Sequence, residues 1–241
     1  MVFGRRADDP DLVFEAGGRS RPLLVRRMAQ AQGMRLSVDP RDGGVRLVMP
    51  SRGSLRAALK WVESKRGWIE AALDALPQAR PIEDGMLIEV AGEPLRVELA
   101  DGGRTVRRLG SRLIVPLPAD LLGVRVTRWL KKQALERLAA ETERIAALAQ
   151  VGIGQVSIGD PRARWGSCSA NGDIRYSWRL ILAPPDVLEA TVAHEVAHRL
   201  HMDHSPAFHA AVRRLLGRDP SAERAWLRAH GRELYWLGRD A

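Results

Sequence analysis

One cysteine, Cys168, stands among 241 residues, so no disulfide can form within the chain. A lone thiol suits a reducing cytosol. Uninterrupted apolar runs are short, and none approaches the roughly 18 residues of a membrane-spanning helix. The opening Met1-Val2-Phe3-Gly4-Arg5-Arg6 is not followed by the apolar stretch of a signal peptide. These absences set a cytoplasmic location and no membrane partner as expectations. Lysine is scarce too, with four of 38 cationic residues: Lys60, Lys65, Lys131 and Lys132. The arginine-rich remainder gives a net charge of +9, yet no block of cations concentrates it. Dispersed charge is a weaker sign of a nucleic-acid partner than a clustered patch. No zinc-knuckle or helix-turn-helix signature, internal repeat or low-complexity tract stands out.

What is present is a globular composition, 45% hydrophobic and 28% charged, in a length that fits one large domain or two small ones. Residues 1–20 read as a flexible N-terminus, 21–118 as a β-rich region, and 119–241 as a catalytic domain. Leu23–Val25, Met34–Val38 and Val45–Met49 read as strands, the last two joined at Asp42-Gly43-Gly44. Ser54 is placed to cap a helix running to Ala75, on which Trp61 and Trp68 read as core packing. Met86–Val90, Leu95–Leu99, Thr105–Leu109 and Arg112–Val115 read as four more strands. A long helix follows from Gly123 to Gln150, with Val126, Leu130, Leu138, Ile145 and Leu148 among its apolar positions. Then come Gln155–Ile158, Arg164–Ser169 and Asp173–Leu182 as strands, the last two a hairpin through Asn171-Gly172. Ile174, Tyr176, Trp178, Leu180 and Leu182 would share one face. Asp186 begins the next helix, with Glu189 at capping-box spacing.

On that helix lies His194-Glu195-Val196-Ala197-His198, the H-E-x-x-H arrangement of zinc hydrolases. Residues four apart share a helix face, so both imidazoles can meet one ion, with Glu195 beside them as general base. Four of the six histidines fall between positions 194 and 204. A catalytic zinc usually takes three protein ligands, and His204 is the leading third. On a continuous helix it would sit about 15 Å further along the axis. The helix must therefore end soon after His201 and the chain turn back, with Asp203 as the residue for a left-handed conformation. Ser205-Pro206 would then start another helix. His201, His209, Glu223 and Glu233 remain as rival third ligands. Arg164, Tyr176 and His201 are candidates to bind substrate or stabilise a transition state. Arg162, Arg164, Arg175 and Arg179 keep open a hydrolase of nucleotide phosphoanhydrides. Cys168 reads as a buried structural thiol, and Gly166 as a point of close approach.

The runs Arg164-Trp165-Gly166-Ser167-Cys168-Ser169, Trp178-Arg179-Leu180 and His194 through Ser205 resemble the YgjP-like metal-dependent hydrolases. That family is of the zincin metallopeptidase type and is related to the SprT-like proteases. The resemblance covers roughly residues 20–237 and is most specific over 164–209. It implies one zinc ion on His194, His198 and His204, with Glu195 as catalytic base and a polypeptide as substrate. Through the SprT-like relatives it also keeps a nucleic-acid-associated protease in view. This chain has Asp203 where the family usually has Asn, Phe208-His209 where it has Phe-Trp, and Ser177 where it has Asn before Trp178. The expected fold is α+β: a β-rich N-terminal region with a helix, then a zincin-like region with a small antiparallel sheet and an active-site helix.

Overall fold

A computed structural model describes residues 12–16, 19–161 and 163–239. The fold is α+β and divides into two compact units, 1–78 and 79–241. Residues 1–11 of the expected loose N-terminus, and Arg162, lie outside the described residues. Within that segment, the described β1 (Val13–Ala16) pairs antiparallel with β2 (Arg19–Met28). Phe14, hidden in the core, gives β1 its reason to pair.

In the first unit, β3 (Arg35–Val38) and β4 (Val45–Pro50) form the expected hairpin. β4 also runs parallel to β2, giving the order β1-β2-β4-β3. Val45, Leu47 and Met49 alternate inward and bury against Ala58, Val62 and Ile69 of the helices. The expected single helix is two, α1 (Leu55–Ser64) and α2 (Arg66–Asp74), because Lys65 leaves helical backbone at φ −103°, ψ 11°. Ser54 caps α1 by accepting the Ala57 N–H. Trp61 packs on this core, but Trp68 is 51% exposed and does not.

The second unit repeats that strand plan. β5 (Leu87–Val90), β6 (Glu93–Ala100), β7 (Arg107–Leu109) and β8 (Arg112–Pro116) lie in the order β5-β6-β8-β7. Again the outer pairs are antiparallel and the central pair is parallel. The likeness is one of topology, which side-chain patterns did not reveal. Leu95, Val97, Leu113 and Val115 share one core with α3 (Leu122–Ala149) and the elements after it. Val126, Leu130, Ala134 and Leu138, at four-residue spacing, form the stripe of α3 that this core covers. Leu148 falls off the stripe and is 60% exposed.

β9 (Val156–Gly159), β10 (Gly166–Cys168) and β11 (Ile174–Ser177) form the third sheet. β10 and β11 are the antiparallel hairpin expected, but β9 joins β11 in parallel, so the sheet is mixed. The second strand stops early: Trp178–Leu182 is a 3-10 turn with all five side chains buried. The one-face reading fails past Ser177 because these residues are buried in every direction. Ser177 Oγ accepts the Arg179 N–H where the strand gives way.

α4 (Pro185–Ala197) follows, with Pro184 at its N-cap and Pro185 in its first turn. Asp186 and Glu189 form no capping box. Asp186 sits in the first turn, and Glu189 is engaged by Arg144 at 2.7 Å and Arg218 at 2.9 Å. α4 is buried on nearly every side between α3, β10, α5 (Pro206–Leu216) and α6 (Ser221–His230). No helix among the described residues is long and apolar enough to cross a membrane.

Truncating the centre of the α3 stripe tests this packing. Leu138→Ala is expected to cost about 2–5 kcal/mol in urea denaturation, and Leu148→Ala no more than about 0.5 kcal/mol. Equal losses would mean that the stripe does not carry the core.

Candidate metal centre

α4 ends at Ala197, earlier than the sequence required, and His198 is its C-cap. Tight turns satisfy the last carbonyls: Arg199 N–H donates to Val196, and Leu200 and His201 N–H donate to Ala197. Asp203 does not supply a left-handed turn. The non-glycine residues with positive φ among those described are Ala91 and Gln150. The chain reverses through ordinary backbone bends, and Asp203 Oδ1 accepts the Ser205 N–H at 3.3 Å. Ser205 Oγ then accepts the Phe208 N–H, and Pro206 opens α5, as its sequence indicated. Arg199 pins the reversal by donating to the Gly152 and Ala170 carbonyls.

This turn brings His204 back over α4. His194, His198 and His204 each present a ring nitrogen, and the three atoms lie within 4.8 Å of one another. The Nε2 atoms of His194 and His204 are 3.3 Å apart. His198 Nδ1–H donates to the His201 carbonyl, which fixes the tautomer and leaves Nε2 bare. Burial, helped by the neighbouring imidazoles, pushes the His194 pKa down to about 4, so that ring is neutral with a free lone pair at pH 7. Burial also lowers His198, against the opposing pull of its bond to His201.

Phe208 holds the three rings in place, and its importance was not read from the sequence. Fully buried, it stacks on His198 at 4.5 Å between centroids and meets His194 and His204 edge-on, each at 4.9 Å. The signal available was its place three residues after the cap Ser205, which turns it toward α4.

Glu195 lies against β10. It is 5% exposed, and burial raises its pKa to about 7 despite the opposing charge of Arg164. The contact is close: a Cβ on Gly166 would fall 2.5 Å from Glu195 Oε1. Only glycine at 166 leaves the carboxylate its place. The trio and Glu195 face a cleft of about 490 Å³. Arg164, Trp165 and Cys168 form one wall, and Val212, Glu223 and Leu227 belong to the other.

The remaining candidates separate. Arg164 lines the cleft. Tyr176 does not: it is buried in the core, its hydroxyl 3.0 Å from Thr142 Oγ1, and burial drives its phenol well above the ordinary range. Its place on the inward face of β11 gives it a packing role. His201 contributes its backbone carbonyl, and its side chain is not among those lining the cleft. Of the rival ligands, His209 and Glu223 line the cleft outside the close trio, and Glu233 faces His230 instead. Glu223 is held by Arg218 at 2.8 Å. Of the arginines considered for phosphate, Arg179 is buried, paired with Asp160 at 3.0 Å and stacked on Trp178. Cys168 is half-buried, and burial raises its thiol.

Compared with known proteins, the chain matches the family model described as YgjP-like, metallopeptidase domain, over residues 34–230. No curated protein and no solved structure matches it.

Removing the Tyr176 hydroxyl separates core from site. Tyr176→Phe is expected to lose about 0.5–1.5 kcal/mol of stability with the Thr142 bond, and to bind metal as the parent does. A loss of metal in a plasma emission assay would return Tyr176 to the site.

Proposed function

The chain belongs to the YgjP-like family, and on that premise we propose that it is a zinc-dependent peptidase in which His194, His198 and His204 hold the ion and Glu195 is the general base. The observation that carries this reading is the return of His204 onto α4, which sets three imidazole nitrogens within 4.8 Å at the floor of a cleft. The donor set suits zinc. Two nitrogens bound tetrahedrally at ~2.0–2.1 Å stand about 3.4 Å apart, and His194 and His204 Nε2 are 3.3 Å apart. A neutral His194 and a tautomer-fixed His198 are in the form that ligates.

When bound, zinc supplies Lewis acidity, which lowers the pKa of water to about 7 and polarises a carbonyl. The chain's own residues do the rest. Glu195 accepts a proton from the attacking water and returns it to the departing amine nitrogen. A carboxylate whose pKa lies near the working pH serves both transfers, and burial between α4 and β10 provides that. Gly166 keeps β10 close, so the base is walled from solvent on its strand side. Arg164 is the candidate that remains on the cleft to meet charge developing on the substrate oxygen. A phosphoanhydride substrate is less well served, since Arg179 is committed to Asp160.

Glu195→Gln is expected to lower kcat/KM on an unstructured polypeptide by about 10²–10⁴-fold with zinc content unchanged. His204→Ala is expected to purify without stoichiometric zinc. Cleavage by the Gln variant at the parent rate would remove Glu195 as base, and full zinc in the Ala variant would remove His204 as ligand.

Gly166→Ala tests the wall behind the base. The added methyl must displace Glu195, so kcat/KM should fall by about a hundredfold with zinc retained. An unchanged rate would mean that the approach of β10 does not set the position of the carboxylate.

A further inference from the structure

A second cavity, of about 440 Å³, adjoins the metal cleft between α5 and α6 and is lined by His204, Pro206, His209, Arg213, Pro220 and Arg224. Four of these, His204, His209, Pro220 and Arg224, also line the cleft, so the two spaces share a wall. Two of the six lining side chains are guanidiniums and none is acidic. His209 and Arg213 stand four residues apart on α5 and share a face. Arg224 projects from the first turns of α6.

Three arginines elsewhere in this unit are committed to carboxylates. Arg144 has Glu141 and Glu189, Arg179 has Asp160, and Arg218 has Glu189 and Glu223. Among the described residues, no carboxylate lies within 4.0 Å of Arg213 or Arg224, although both are exposed and free to reach one. Asp219 is near in charge terms. Its Oδ1 already accepts the Ser221 N–H at 2.8 Å; the Ser221 hydroxyl first, then that N–H, and last the charges of Arg224 and Arg213 hold its carboxyl below the usual range. An anion that enters this cavity meets both guanidiniums and no acidic side chain of its lining. The forked donors of arginine match a carboxylate.

We propose that this groove is a subsite for an acidic side chain of the polypeptide substrate, with Arg213 and Arg224 selecting it. The subsite rests on the peptidase reading, because it positions a residue flanking the bond that Glu195 serves. The chemistry it recognises is an oxyanion, and the committed source is an aspartate or glutamate of the substrate. Arg164, across the cleft at β10, is separate from this pair and serves the reacting oxygen.

The test uses the full chain, zinc-loaded, with Glu195→Gln to stop turnover. Fluorescent peptides carrying Asp, Asn, Lys or phosphoserine at each successive position are titrated by anisotropy. At one position Asp should bind about tenfold or more tighter than Asn, the scale of a charge-assisted pair. The preference should vanish in Arg213→Gln/Arg224→Gln and turn toward Lys in Arg213→Glu/Arg224→Glu. No position favouring Asp, or a preference that survives the double Gln change, overturns the subsite. Phosphoserine bound about tenfold more tightly than Asp gives the groove to phosphate and overturns the acidic-residue assignment. The same peptides incubated with unsubstituted protein judge the peptidase reading separately. Peptides bound with acid preference but never cut sink the peptidase and leave the subsite standing. Peptides cut without preference sink the subsite alone.

Discussion

The site depends on one constraint: α4 must stop where its second histidine stands. A helix advances about 1.5 Å per residue, so continuation through His204 would carry that ring far from His194. The chain instead leaves the helix at His198 and closes the end with tight turns onto Val196 and Ala197. Their carbonyls are thereby satisfied without a left-handed residue. The same stop frees the His201 carbonyl to receive His198 Nδ1–H, so one backbone event ends the helix and sets a tautomer. Arg199 ties the reversal to two loop carbonyls, and Ser205 starts α5 in register for Phe208 to reach the three rings.

Around that stop, α4 carries two chemistries on two faces. Its histidines meet α5 through Phe208, and Glu195 meets β10 through Gly166. Neither neighbour is interchangeable with a generic packing partner. Phe208 gives aromatic contact to all three imidazoles without competing for a lone pair. Gly166 gives backbone contact with no side chain in the way. The polarity of the site follows: burial pushes the pKa of His194 down to about 4 and raises that of Glu195 to about 7. The open groove between α5 and α6 adds the guanidiniums of Arg213 and Arg224.

Much of this was legible because the relevant signals are local. His194, Glu195 and His198 share a helix, Ser205-Pro206 is a helix start, and Asn171-Gly172 is a hairpin turn; each follows from spacing or backbone preference within a few residues. What was not legible depends on contacts between distant segments. Trp178 to Leu182 alternate like a strand, but burial on all sides lets a 3-10 turn form. Asp186 and Glu189 have capping-box spacing, but Pro184 occupies the cap and two arginines claim Glu189. Tyr176 looked available for chemistry until Thr142, thirty-four residues earlier, took its hydroxyl. Phe208 carried no local mark of its contact with three histidines. The shared strand order of the two four-stranded sheets lies in topology, which side-chain patterns do not encode.

The central claim is that one ion is held by the three imidazoles that the stop of α4 brings together. X-ray absorption at the zinc edge of the zinc-loaded full chain tests it most directly. The account predicts scattering from three imidazole rings with a light atom completing the set. Two rings, or a sulfur from Cys168, would contradict it.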